Sequence, residues 1–214
     1  MTSTTENKRL DEIAVLRTLA IIGVVLYHAF WGPYFAPQPH LRLAYTPICD
    51  VYESIFHTWF GARMPLFIFI SGYLYSYLFN QRGKYTSTPQ FVKKKFMRLI
   101  VPYVIFTFAM GLTLQNLTVL RFFSGYMHLW FILMIFWCFM FIRIFYRVKK
   151  LVPQLLVFGL FSIMYGLVPM PSASGLAFFG LDTALKFFGW FWLGYIMFVN
   201  KDKFGFLFKN ASII

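Results

Sequence analysis

Acidic residues are scarce: 7 Asp+Glu stand against 20 Lys+Arg in 214 residues, and charge of either sign makes up only 13% of the chain. A soluble domain carries roughly 25% charged residues, whereas here 59% of the residues are hydrophobic. The apolar residues fall in runs too long for a soluble core to bury, which excludes a water-soluble globule and predicts the bilayer as solvent. Cysteine is limited to Cys49 and Cys138. That excludes a disulfide framework and a CxxC redox or metal site, and both thiols are read as packing residues. The four histidines are widely separated and offer no spaced ligand pair, so no metal is expected. GxGxxG, Walker, HExxH and G-x-S-x-G motifs are missing, as are internal repeats.

What remains is a net charge of +13 and six apolar stretches, at 13–31, 64–80, 99–117, 129–145, 151–168 and 184–199. Such an excess of positive charge ordinarily suggests nucleic acid, but the basic residues lie between the apolar runs, so no nucleic-acid partner is expected. Each stretch approaches the ~20 residues a spanning helix needs. If the spans alternate, basic positions at 8–9, 82–98, 143–150 and 201–209 share one side, and the other side keeps only Arg42, Arg63, Arg121 and Lys186 near its surface. The positive-inside rule makes the first side cytoplasmic. The expected fold is an all-α membrane protein, a bundle of about six transmembrane helices with both termini in the cytoplasm. A largely polar start and the lack of an A-x-A-like site make residues 13–31 a retained span rather than a cleaved signal. The connection at 32–63 contains Pro33, Pro37, Pro39 and Pro47, which predicts an ordered or interfacial loop over a site entrance.

Ionisable residues within a span are costly and mark candidate sites. Arg17 and His28 lie eleven residues apart in the first span; on a helix this places them on one face, about 16 Å apart along the axis. An elongated ligand held by phosphate at the cytoplasmic rim could reach the imidazole with its far end. An imidazole with a pKa of about 6.5 can accept a hydroxyl proton and return it. The alternative is structural: Arg17 snorkels to headgroups and His28 bonds a neighbouring helix.

The segment from Arg17 to His28 resembles the first span of the acyltransferase 3 family of integral membrane acyltransferases. Three further segments fit the family in order and spacing: Met64-Pro65-Leu66-Phe67-Ile68-Phe69-Ile70-Ser71-Gly72-Tyr73, Lys94-Lys95-Phe96-Met97-Arg98-Leu99-Ile100-Val101-Pro102-Tyr103, and His128-Leu129-Trp130-Phe131-Ile132-Leu133. Phe191-Trp192-Leu193-Gly194-Tyr195 is a weaker fifth match. The resemblance implies an O-acyltransferase of a plasma (inner) membrane. Its co-substrate is acyl-coenzyme A, most simply the acetyl thioester, its acceptor is a hydroxyl of a surface or exported carbohydrate, and no cofactor is permanently bound. Residues 1–200 would form the family's transmembrane domain and 201–214 a short basic cytoplasmic tail. The family usually has more spans, so a short or truncated member is expected.

Under this reading His28 is the general base or a transient acyl carrier, and Arg17, Lys94, Lys95 and Arg98 hold the donor phosphates. Lys94, Lys95 and Arg98 are equally readable as a topology signal. Pro102 is expected in the first turn of the third span, where its missing amide costs nothing. Gly72 allows close helix approach, and Ser71 either packs beside it or lines a channel for the pantetheine arm. His128 and Trp130 suit an acceptor site or an interfacial anchor. Arg63 and Glu53 are acceptor-site candidates on the outer side, with Asp50, His57 and Asp182 ambiguous. The rival readings are a transporter or flippase-like carrier, since buried Arg and His also line substrate pathways, and an inactive fragment.

Overall fold

The structure, a computed structural model, describes residue 15 and residues 18–26, 47–113, 122–123, 129–167 and 179–204, the side chains of 47–63 excepted. The described residues are helical, with no strand among them. The chain divides into two compact units, Met1–Ile70 and Ser71–Ile214.

In the first unit, residues 18–26 form a helix inside the first predicted span, with Ala20 buried and Leu19, Ile21, Ile22, Val25 and Leu26 exposed. Helix α1 (Pro47–Asn80) begins in this unit and continues into the second. Its extent corrects the expected loop at 32–63, because residues 47–63 are helical. The reason was available in the sequence. Ile48, Val51, Tyr52, Ile55, Phe56 and Trp59 recur at the i, i+3, i+4, i+7 spacing of a helix face. Pro47 stands at the first position, where a proline's fixed φ suits a helix start.

The second unit contains the rest of α1 and all the remaining helices. Thr88–Thr113 is a continuous 26-residue helical stretch that contains an 18-residue segment of mean hydropathy 1.7, long and apolar enough to cross a membrane. It comprises α2 (Thr88–Lys95), a π-helical turn (Phe96–Ile100) and α3 (Val101–Thr113). Pro102 is therefore interior to the stretch rather than in a first turn. Its ring crowds the carbonyl four residues back, at Arg98, and supplies no amide hydrogen. The wider π turn ends two residues before the proline, at Ile100, and accommodates both defects. Two shorter apolar helices follow, α4 (Trp130–Phe145) and α5 (Leu151–Leu167), and then α6 (Leu181–Val199).

Helix α6 is the centre of this unit. On one side a Cβ added at Gly72 would lie 1.9 Å from the Phe191 carbonyl oxygen, so α1 and α6 meet backbone to backbone. Tyr75 packs on Phe191 and Tyr195, and Tyr77 on Phe198. On the other side Phe188 meets Phe161 of α5 at 4.7 Å and Phe141 of α4 at 5.4 Å in edge-to-face arrangements, the geometry favoured by the ring quadrupole. The contacts advance in step along α1, α4 and α6 and in reverse along α5, so α5 runs antiparallel to the other three. A second cluster, built on Ile100, Tyr103, Leu133 and Phe136, packs the π turn and α3 on α4. The Tyr103 hydroxyl there donates to the Phe122 carbonyl at 2.6 Å.

A buried polar knot joins the start of α5 to the end of α6. Trp192 Nε1 donates to the Gln154 carbonyl at 2.9 Å, Asn200 Nδ2 to Gln154 Oε1 at 2.7 Å, and Gln154 Nε2 to the Val148 carbonyl at 2.9 Å. Gln154 is fully buried, and both ends of its amide are satisfied, which is what burial of such a group requires. Cys138 is buried and free, its thiol turned to Met134 Sδ at 3.7 Å, as a packing residue would be.

Candidate functional site

The helix directions bring one set of ends of the second unit together. Asn80 and the turn after it, α2, the turn at 146–150, the start of α5 and the end of α6 are linked there by Phe79 on Tyr146, by the Tyr195 hydroxyl donating to the Tyr146 carbonyl, and by the Gln154 knot. This end carries Arg82, Lys84, the run Lys93 to Lys95, Arg98, Arg143, Arg147, Lys149, Lys150, Lys201 and Lys203. The two carboxylates whose side chains are described, Asp182 and Asp202, pair with none of them. The charge asymmetry read from the sequence is thus a feature of the folded unit.

The basic cluster is divided by the π turn. Lys93, Lys94 and Arg98 are exposed, whereas Lys95 is half-buried. The Lys95 ammonium stands 3.3 Å from the centroid of Phe139, with Tyr85 and Phe91 at 5.5 and 5.7 Å. Such cation–π contacts contribute about 0.5–2 kcal/mol each, more as water is removed. Lys94 and Arg98 remain free to meet a ligand arriving from outside the unit, and Lys95 faces inward.

Arg143, read from the sequence only as one of the basic positions that set orientation, has a structural task here. Its guanidinium lies on the Phe91 ring at 4.4 Å and near Phe79 and Tyr146. Arg143 Nη2 donates to the carbonyl of Tyr85, which fastens the turn between α1 and α2. That turn needs fastening, because Tyr85 has a φ of 67°, in the left-handed region that costs a non-glycine residue energy. Gly83, with φ 58°, adopts the same region at no such cost. In the next turn Arg147 Nε donates to the Tyr146 hydroxyl at 3.4 Å and holds that phenol below its ordinary pKa.

The remaining candidates are distributed as follows. Ser71 is half-buried on α1 beside Gly72, so the Ser-Gly-Tyr segment and the Phe191-Trp192 segment, two of the sequence motifs, lie against each other. Trp130 is half-buried at the start of α4, 6.3 Å from the Phe187 ring. Phe187 in turn meets Tyr165, over which the Lys186 ammonium sits at 5.2 Å. These residues form an aromatic cluster at the end of the unit opposite the basic one. Glu53 and Arg63 lie on the backbone of α1, where their side chains are outside the description. Arg17, His28 and His128 are outside the described residues.

A family model described as an acyltransferase domain, acyltransferase 3, matches residues 10–214. The chain belongs to that family. No curated protein and no solved structure matches it. Membership of the acyltransferase 3 family makes the protein a membrane-associated acyltransferase, consistent with the Thr88–Thr113 helix.

Proposed function

We propose that this acyltransferase moves an acyl group, acetyl in the simplest case, from acyl-coenzyme A to a hydroxyl of a surface or exported carbohydrate. The donor's phosphates bind at the basic end against Lys94 and Arg98, with Lys95 and Arg17 completing the charge. Ser71 borders the path of the pantetheine arm. The observation that supports this most is the assembly of basic side chains at one end of the second unit of an acyltransferase 3 chain. Phosphate oxygens complement such an end through charge-assisted hydrogen bonds. The same asymmetry supports a cytoplasmic basic end, cytoplasmic termini and six spans across the plasma membrane.

In the reaction neutral His28 takes the proton of the acceptor hydroxyl as its oxygen attacks the thioester carbonyl. The tetrahedral intermediate then expels the coenzyme A thiolate, which takes that proton back from the imidazolium. His28 returns to its starting state, and the ester remains on the sugar. Holding donor and hydroxyl together contributes by making the encounter intramolecular, and a dry pocket limits hydrolysis of the thioester. On the far side, Trp130, His128, Arg63 and Glu53 hold the acceptor, with the aromatic cluster at Trp130 giving apolar faces for sugar rings.

Isolated membranes supplied with radiolabelled acetyl-coenzyme A and a glycan acceptor test the proposal. We predict label transfer by the wild type and its abolition by His28→Ala, with membrane insertion unchanged. Transfer at the wild-type rate in that variant would remove His28 from the mechanism, and movement of glycan without labelling would favour a carrier.

A further inference from the structure

Helix α2 leads the Thr88–Thr113 stretch but is separated from the rest of it by the π turn. Its eight residues are too few to hold a helix in place by propensity alone, and only Phe91 among them is buried. The direction of α2 therefore depends on what that one face meets. Two rings and two cations join it to α4. The Phe91 ring of α2 meets the Phe139 ring of α4 edge-to-face at 6.1 Å. Each ring then receives the cation that lies four residues beyond the other ring. Lys95 of α2 places its ammonium 3.3 Å from the centroid of Phe139, and Arg143 of α4 lays its guanidinium 4.4 Å from the centroid of Phe91. Residues four apart share a helix face, so each helix presents a ring and a cation together. Because the two helices run antiparallel, the two cation–ring pairs cross. The bond from Arg143 to the Tyr85 carbonyl extends the hold to the turn that precedes α2.

We propose that this crossed clasp is a positioning device for the acyl donor: Phe91, Phe139, Lys95 and Arg143 fix α2 so that the exposed Lys94 and Arg98 face the donor. The four act without touching it. Lys94 and Arg98 flank Lys95 within one turn, and both are exposed while Lys95 is half-buried. Drawing Lys95 onto Phe139 thus sets the direction in which its neighbours point. The inference rests on the donor reading and gives Lys95 a part in it that needs no contact. It also extends the site to two phenylalanines and an arginine that a list of phosphate-binding residues would omit. The rings separate the clasp from direct contact. A phenyl face attracts a cation through its quadrupole but offers a phosphate no hydrogen bond, so removing the ring affects the donor only through the clasp.

The test measures initial rates of acetyl transfer in isolated membranes containing the full chain, over a range of radiolabelled acetyl-coenzyme A, with thermal unfolding followed in neutral detergent. Phe139→Leu and Phe91→Leu keep every cation and remove one ring face each. We expect each to raise KM for acetyl-coenzyme A about three- to tenfold, the loss of one cation–ring contact. The value of kcat should stay as in the wild type, because binding alone is weakened. Phe141→Leu is the control: it takes the same ring from the same helix, at a position that packs on α5 and α6. It should lower the unfolding temperature and leave KM unaltered. Lys95→Arg returns a cation to the Phe139 ring and should keep the wild-type KM. Lys95→Gln combined with Phe139→Leu should raise KM no further than Lys95→Gln alone, since both changes break one contact. Wild-type KM in both Phe91→Leu and Phe139→Leu, an equal rise in Phe141→Leu, or multiplied effects in the double variant would overturn the positioning role and leave the donor reading standing. No transfer by the wild type at any concentration of acetyl-coenzyme A would overturn the donor reading, and the positioning role with it.

Discussion

At Gly72 there is no room for a methyl group. A Cβ there would sit 1.9 Å from a backbone oxygen of α6, far inside contact distance, and backbone cannot swing aside as a side chain can. Gly72→Ala should therefore destabilise the second unit by about 1–3 kcal/mol or more through overpacking, measured as a lower unfolding temperature in detergent. A Gly159→Ala control, at a position with nothing within 4 Å, should cost nothing comparable. The role of Gly72 was legible in the sequence, since a glycine between Ser71 and Tyr73 in an apolar run has few other uses. Arg143 was not legible. It lies among basic residues that membrane orientation already explains, and its partner is a backbone carbonyl 58 residues away in the chain. No side-chain pattern encodes such a partner.

Among the elements, the six predicted apolar stretches all contain helix where the structure describes them, because runs of that length and composition have no other way to satisfy their backbone in lipid. The misjudged borders have definite causes. Four prolines between 33 and 47 obscured a regular apolar period beginning at Ile48, and Pro102 looked like a helix start because the π turn that absorbs it has no sequence signature of its own. The polar part of the join between α5 and α6 centres on the Gln154 amide. Gln154→Leu would leave the Val148 carbonyl without its Gln154 donor and Asn200 Nδ2 with only its 3.1 Å bond to the Ile196 carbonyl, while the Trp192 bond persists because it goes to backbone. Stranding buried polar groups costs about 1–3 kcal/mol each. We expect Gln154→Leu to lower the unfolding temperature and to raise amide hydrogen exchange at 146–154 and around Asn200, with exchange in the Tyr103 cluster unaltered.

For the second unit as a whole, apolar residues face outward on two helices and inward on a third. Val152, Leu156 and Leu167 on α5 are 69, 69 and 72% exposed, and α3 likewise turns Ile105 and Phe106 outward, as helices bordering lipid do. Helix α6 instead buries most of its length between α1, α4 and α5. The candidate site follows that plan, since the basic end forms where α2 and the ends of α1, α4 and α6 meet the start of α5. Because α6 comes after its partners in the chain, the order of synthesis matters. Chains stalled on the ribosome after α5 in inverted membrane vesicles should be cut readily by protease at the connections, and chains extended through residue 204 should resist. A nascent chain thus carries the face at Gly72 open, like a mortise awaiting its tenon, until α6 is threaded from the translocon. Any delay in that handover leaves the rings of α1, α4 and α5 that α6 covers, Tyr75, Phe141 and Phe161 among them, without their partners on it.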